Sequence, residues 1–492
     1  MVAAGTGHGG LGAGPWGGRR PRRRPGCRGG AGLVHLAVMA RFRFLHVADL
    51  HLDTPFEGLG SLPGGPGGDG WAERLRDASL GALDEIARIA RAEDVAFVLF
   101  AGDLYDGPER GLRAALRLRR VLGELAREGI PSFLVLGNHD PVEDPAAILP
   151  EPIEGVTLFP AGRAGTAPAV RDGATLALVH GASHGRPRET RNLAARFPRA
   201  GAVPLPEGAP PPPDPAGGRP LEIGLLHANL AGTEGHDPYA PCSRDDLLAA
   251  GYGYWALGHV HQRQVVVEGG TWIVYPGNTQ GRSFKPSERG AKGGMLVEVE
   301  DGRVAHAEFR PLDRVRFEEV DLEVSAGTGP DRLLDRLAAA GGELVDAAEG
   351  RGVIARARVR VAEVGAPLLA PGRAEDLLAE LRETAPEDLA WADLRLVPAA
   401  DPRELAGRRD LAGELATLLA ELQADPEEAA RFAREVAGKM PRLGPVRRVL
   451  GEAFPEPGAA ELAEAGAAVL ARLVGGDAAD EDGAADGAED SP

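Results

Sequence analysis

Five short clusters in this 492-residue chain hold residue types that can ligate a cation or move a proton. They are Asp49-Leu50-His51, Gly102-Asp103-Leu104-Tyr105-Asp106, Gly137-Asn138-His139-Asp140, His227 and Gly258-His259-Val260-His261. Each sits at or just past the C-terminal end of an apolar run. On an extended chain, period-two geometry puts Asp49 and His51 on one side, and His259 and His261 likewise. Each pair is therefore expected to grip one cation. Glycines 102, 137 and 258 are expected to let the backbone turn sharply and bring the next side chain inward. With His139 held aside, the donors are two aspartates, one asparagine and four histidines. Seven protein ligands exceed the needs of one tetrahedral zinc, and suit two cations with open positions for water. A shared carboxylate, Asp103, would hold the two about 3.5–4 Å apart. Oxygen and imidazole donors without thiolate favour Mn²⁺, with Fe or Zn also fitting. Such a pair activates water and takes up charge as a phosphoester bond breaks. A lone D-x-H or GNHD is usually a turn. The whole set, in one order and all at strand ends, is poorly explained by unrelated turns.

The runs that deliver these clusters alternate with helical stretches. Strands are expected at Phe42–Ala48, Val95–Ala101, Ser132–Leu136, Thr175–His180, Glu222–His227, Tyr254–Leu257, Thr271–Tyr275 and Met295–Val299. Helices are expected at Trp71–Ala92, on Leu75, Leu83, Ile86 and Ile89, and at Glu109–Glu128, on Leu112, Leu116 and Leu122. This alternation indicates an α/β layered domain, in which ligands bind at strand ends. From Pro311 the order becomes β-α-β-α-β: strands at Val315–Val324, Val353–Val361 and near Trp391–Val397, with helices at Pro330–Ala348 and Ala374–Thr384. The divisions expected are a leader at 1–38, a catalytic domain at 39–310, a small α/β domain at 311–400, a helical region at 401–475 and a tail at 476–492. Residues 201–220 read as a Pro-rich surface insertion.

The ends are compositionally biased. Residues 1–38 hold six arginines and no acid, and read as a disordered leader, with Met39 standing just before the first strand. From Asp477 the chain carries seven acids and no base, a solvated tail. Net charge is −18, or −24 without the leader, which argues against coating nucleic acid through a broad basic surface. A phosphodiester can still be taken locally, because bound cations dominate their site. Apolar residues make up 43%, enough for a sizeable core, and no apolar run is long enough to span a bilayer. Two cysteines, Cys27 and Cys242, can build neither a disulfide framework nor a thiolate metal site, which fits a reducing cytoplasm.

The ordered clusters DLH…GDLYD…GNHD…H…GHVH resemble the calcineurin-like metallophosphoesterase superfamily. The longer runs FLHVADLHLDTPF, VLFAGDLYD, GLLHANLAGTEGHDPYAPC, YWALGHVHQRQVV and YPGNTQGR are similar to the bacterial YhaO-type branch of the SbcD-type DNA repair exonucleases. The likeness covers about residues 42–310. It implies an α/β, two-sheet layered (αββα) core with a small α/β capping domain and a C-terminal helical region. It implies one cation on Asp49, His51, Asp103 and His261, and another on Asp103, Asn138, His227 and His259. His139 would protonate the leaving oxygen or stabilise its charge, and Asp106 would orient His139. The activity implied is hydrolysis of DNA, as exonuclease or endonuclease, with an SbcC-type ATPase as partner; the arrangement is also compatible with a homodimer. The rival reading is a phosphodiesterase or phosphatase of non-DNA substrates.

Other residues invite plainer readings. His46, inside the first strand, reads as a hydrogen-bonded core histidine. His180, His184 and His236 could support the site or touch substrate. Arg282, Lys285, Arg289 and Lys292 could hold DNA phosphate or form a solvated loop, and Arg113, Arg117 and Arg120 read as a solvated helix face. In the helical region, Leu411, Leu415, Leu418, Leu419 and Leu422 stripe one helix, Pro426–Lys439 forms a second and Gly458–Val474 a third. These stripes are expected to dock helices of the ATPase, against the alternative of a subdomain packed on itself.

Overall fold

The computed structural model describes residues 41–52, 54, 56, 70–106, 111–141, 151–213, 219–230, 239–325, 327–362, 367–398 and 409–439, with 462, 466, 469 and 470 beyond them. The leader, Met39, the acidic tail, His236 and most of the third C-terminal helix lie outside the described residues.

Two six-stranded sheets face each other. In the first, β1 (Arg41–Val47), β2 (Phe97–Ala101), β3 (Ser132–Val135) and β4 (Val156–Leu158) run parallel, and β11 (Gly293–Glu300) and β12 (Arg303–Pro311) extend the β1 edge antiparallel. The second runs in the order β5 (Gly165–Arg171), β6 (Ala174–Ala182), β7 (Leu221–His227), β8 (Tyr254–Gly258), β10 (Thr271–Tyr275), β9 (Gln264–Glu268). Within it β6, β7, β8 and β10 are parallel, and β5 and β9 close the edges antiparallel. Alternation decides the layers. Phe44 of β1 points between the sheets with Phe97, Leu99, Phe133, Ile223, Leu225 and Tyr254, whereas Leu45 and Val47 point outward. The outer face is covered by α1 (Gly70–Ala92) and α2 (Leu112–Arg127), through Leu83, Ile86, Leu118 and Leu122. On the far side, Trp255, Leu257 and Tyr275 pack against Leu193 and against Leu247 of α3 (Arg244–Ala250). The result is the two-sheet αββα α/β architecture expected from the sequence.

Register sets where the strands end. Val47 pairs with Phe100, and Ala101 with Val135, so the chain leaves β1, β2 and β3 along one edge. In the other sheet His227 pairs with Gly258. All eight strands read from the sequence for residues 39–310 are present. The buried face of α2 differs from the one expected: it carries Ala114, Leu118, Val121, Leu122 and Leu125, while Leu112 and Leu116 are 74% and 58% exposed. On a 3.6-residue turn, positions 112 and 116 fall away from the 118/122/125 stripe.

Beyond β12, strands β13 (Val315–Val324), β14 (Gly352–Val361) and β15 (Leu389–Pro398) form a parallel sheet, crossed over by α4 (Pro330–Ala347) and α5 (Arg373–Thr384). Trp71 and Leu75 of α1 pack on its Val315, Phe317 and Ile354. Farther on, α6 (Leu411–Ala424) and α7 (Pro426–Lys439) bury Ala416, Leu419 and Ala433. The described part of the 201–220 insertion lies along β6, where Thr175 donates to the carbonyls of Pro210 (Oγ1, 2.6 Å) and Pro211 (N, 3.1 Å). Among the described residues no helix is long and apolar enough to cross a membrane.

Candidate metal centre

Three of the five clusters leave their strands through backbone that side chains seldom adopt. Asp49, His51, Asp103 and His259 have φ of 52°, 45°, 50° and 104°. Such conformations cost on the order of 1–3 kcal/mol each and persist where the surroundings over-determine them. Here Asp49 N donates to Gly102 O (3.1 Å), His51 N to Asp103 O (3.0 Å), and His259 N to both Asp49 carboxylate oxygens (3.2 and 3.1 Å). The expected extended pairing of Asp49 with His51, and of His259 with His261, is therefore corrected: tight left-handed turns aim these side chains. The glycines also differ from expectation. Only Gly102 turns with positive φ, at 91°. Gly137 and Gly258 serve by absence of bulk, since a Cβ there would lie 2.1 Å from Asp103 Oδ1 and 1.9 Å from Ala101 O respectively.

These turns bring together every ligand candidate read from the sequence. His51 Nε2 lies 3.2 Å from His261 Nε2, which is 3.9 Å from Asp49 Oδ1. Asn138 Oδ1 lies 3.0 Å from His227 Nε2 and 3.2 Å from His259 Nδ1. Asp103 Oδ2 stands between the groups, 3.3 Å from His227 Nε2 and 3.8 Å from His51 Nε2. Asp49, His51 and His261 form one set of converging donor atoms, Asp49, Asp103 and His227 another, and His51, Asp106 and His139 a third nearer the mouth. His139 belongs to neither of the first two, and its side chain is 44% exposed where that of His51 is 1% exposed. Its Nδ1 lies 2.5 Å from Asp106 Oδ1, and Arg282 Nη1 donates to the other Asp106 oxygen at 3.4 Å.

Burial and charge set the protonation of the cluster. Burial pushes the Asp49 carboxyl up. Burial would raise Asp103 too, but His227, followed by His51 and His139, holds it well below the usual carboxylate range. Burial lowers His227, yet Asp103 and Asp49 outweigh it and carry the ring up to about 9. Burial, then Arg282, drives His51 down. The hydrogen bond to Asp106 raises His139. Two buried carboxylates thus draw positive charge to themselves, and oxygen and nitrogen donors converge on the same volume from five loops. That donor set fits two divalent cations.

Some supporting residues were not assigned a role from sequence. Asp140, pushed up to about 6 by burial and by Asp103, accepts from Leu104 N (2.7 Å) and Gly137 N (2.8 Å), tying two ligand loops together. His184, read from the sequence as able to support the site, bonds the His227 carbonyl through Nε2 at 2.6 Å. Glu288 meets His261 Nδ1 at 2.5 Å, and nothing in the spacing between them signals it. His46 is the core histidine expected, bonded to Tyr254 Oη at 3.1 Å. His180 is held by Thr166 and Glu222 and stacks on Tyr252. Of the basic loop, Arg289 pairs with Glu319, and buried Lys292 donates to the carbonyls of His261 and Ser287, so both point inward. Arg113, Arg117 and Arg120 pair with Asp77, Asp84 and Glu124.

A two-sheet αββα core with ligand loops at one edge and a His–Asp pair at the mouth is an arrangement that suits a dimetal phosphoesterase. Residues 42–263 match the calcineurin-like phosphoesterase family, whose members use a dimetal centre. The chain is 34% identical over 295 residues to the uncharacterized metallophosphoesterase YhaO of Bacillus subtilis (strain 168). That match spans 58% of this chain and 64% of the relative. Among solved structures, the TT1561 protein of Thermus thermophilus aligns at 13% identity, covering 53% of this chain and all of that one, with a TM-score of 0.29. A dimetal phosphatase from Danio rerio aligns at 12% identity, covering 54% of this chain and 98% of that one, with a TM-score of 0.31. At TM-scores this low, neither likeness carries weight about activity.

Proposed function

We propose that this protein is a two-metal-dependent phosphodiesterase that cuts DNA, as an exonuclease or endonuclease in DNA repair. The observation that carries the reading is the exposed His139–Asp106 pair beside the buried donor sets, with Arg282 at the same mouth. Asp49, His51, Asp103 and His261 would hold one cation, and Asp103, Asn138, His227 and His259 the other. Two bound cations, Mn²⁺ by donor type, supply an activated water and take up charge as the phosphodiester opens. The rest is the work of the chain's own residues. Asp106 occupies His139 Nδ1, leaving Nε2 to give its proton to the departing oxygen. Asp106 raises the affinity of His139 for that proton, which favours the acid form. Arg282, fixed by Asp106, presents its guanidinium to a phosphate oxygen. DNA as the substrate rests on the long motif runs shared with SbcD-type nucleases. The test is a side-by-side assay of linear duplex DNA and a chromogenic phosphodiester in Mn²⁺. Degradation of the DNA supports the reading, and cleavage of the small diester alone replaces it with a non-DNA phosphodiesterase.

The acidic net charge calls for a partner that supplies grip on DNA, and we assign that role to an SbcC-type ATPase in the cytoplasm. Helix α6 packs a small core with Leu470 through Ala416 and Leu419, but α6 and α7 leave Leu411, Leu418 and Phe432 exposed, as is Val469 farther along the chain. Exposed apolar side chains clustered on one element are what a partner's helices cover. Co-purification tests this: residues 1–402 binding the ATPase as tightly as the full chain would remove the helices as the dock.

A further inference from the structure

The loop from Gly277 to Lys292 supplies none of the ligands, yet it lines one side of the centre. Asn278 bridges to Ala48 beside Asp49, and Thr279 N donates to Asp49 O at 3.5 Å. At the loop's far end, a single 3₁₀ turn (Pro286–Glu288) drives Glu288 inward until it is only 5% exposed. Its two oxygens have separate partners. Oε1 lies 2.5 Å from His261 Nδ1, while Oε2 accepts from Asn278 Nδ2 at 2.8 Å and from Arg282 N at 3.0 Å. The same histidine is clamped at its carbonyl by Lys292 Nζ at 3.2 Å. With Nδ1 committed, the other ring nitrogen of His261 faces His51 Nε2 and the Asp49 carboxylate.

We propose that Glu288 is the positioning residue of the His51/His261 metal site, and that it ties that site to the substrate-binding arginine. Through Oε1 it keeps the proton of His261 on Nδ1, so that Nε2 offers its lone pair to the cation. A carboxylate on the remote nitrogen fixes a ligand's tautomer and ring plane and makes it a stronger donor. Through Oε2 it fixes the backbone of Arg282, whose guanidinium reaches Asp106 at the mouth. One buried carboxylate thereby sets both the ligand behind the substrate and the cation in front of it. Glutamine at this position keeps the shape but places an amide NH₂ against either the Nδ1–H of His261 or the donors of Asn278 and Arg282. The arrangement cannot be satisfied at both ends.

This inference rests on the dimetal reading, and calorimetric titration of the full chain with Mn²⁺ separates the two. Wild-type protein taking up fewer than two Mn²⁺ sinks the dimetal reading itself. With two bound in the wild type, Glu288→Gln is expected to weaken one of them about 10–100-fold and leave the other unchanged. It is also expected to raise KM for a phosphodiester at saturating Mn²⁺, because Arg282 loses its anchor. Wild-type affinity for both ions in Glu288→Gln, accompanied only by a lower melting temperature, would reduce Glu288 to a structural residue and overturn the proposal. Should Glu288→Gln fail to fold, Glu288→Asp keeps the charge on a shorter arm that cannot reach His261 and Arg282 together. The same single-site weakening is expected there, and unchanged affinity would count equally against the proposal.

Discussion

Gly137→Ala adds one methyl group at the most crowded point of the centre. The new Cβ would sit 2.1 Å from Asp103 Oδ1 and 2.8 Å from the His227 ring, where ordinary contact begins near 3.4 Å. Asp103 would have to retreat by more than 1 Å, and it has nowhere to go. Its Oδ1 accepts from His139 N at 3.0 Å, its Oδ2 stands 3.3 Å from His227, and the residue is 1% exposed. His227 is fixed in turn, its Nδ1 bonded to Ala101 O at 2.9 Å. Overpacking of this kind costs about 1–3 kcal/mol, and displacing a catalytic constellation by about 1 Å costs on the order of 10²-fold in rate. The expected result is a loss of about 10²-fold in kcat/KM on a chromogenic phosphodiester in Mn²⁺, with a melting temperature lowered by a few degrees. Gly342→Ala is the control, since it lies in α4 and its Cβ would meet nothing within 4 Å. That variant should gain about 0.5–1 kcal/mol from the lower chain entropy of alanine and turn over normally. Wild-type turnover in Gly137→Ala would refute the claim that Asp103 is pinned in place.

Asp103→Ala should abolish turnover and weaken both cations, because its carboxylate stands between the two donor groups; elemental analysis finding both metals retained would contradict this. His139→Ala should keep its metals and lose about 10²–10⁴-fold in kcat, whereas metal loss would mark His139 as a ligand. Asp106→Asn removes the carboxylate charge and weakens the hydrogen bond that raises His139, so the protonated form should be lost at lower pH than in the parent. The alkaline limb of the kcat profile is then expected to move to lower pH, and a limb that stays in place would show that another group carries the proton.

Periodicity made the fold readable wherever a segment was buried on a definite face. Apart from β4, a three-residue strand of half-buried positions, every strand of the parallel core showed as a β-rich apolar run, because both of its faces are covered. The strands that escaped notice have compositions or exposures that hide the signal: β5 is GTAPAVR, β9 is half exposed, and β12 lies at an edge with mostly intermediate or exposed positions. Helix α3 had a local sign, a Ser243–Asp246 capping box, in a seven-residue helix too short for a periodic stripe. On α2 the leucines themselves misled. Leu112 and Leu116 lie where the helix meets solvent, and small Ala114 takes the buried turn.

The donor set was legible because its members cluster at strand ends, so their types and order survive in the sequence. What positions those donors does not. The left-handed backbone at Asp49, His51, Asp103 and His259 belongs to residues that ordinarily avoid it, and it is imposed by hydrogen bonds between loops distant in sequence. The partners of the ligands are hidden for the same reason. Asp140 was in plain view within GNHD, but its use as a brace requires knowing that Leu104 N and Gly137 N meet. Glu288 lies in a loop that reads as basic, and only the fold turns its acid onto His261 while sending Lys292 to the carbonyl of the same residue. A sequence states which atoms could bind a cation. Which lone pair of His261 is offered depends on a carboxylate 27 residues away, so the reactivity of the centre is set by tertiary contacts that local pattern cannot encode.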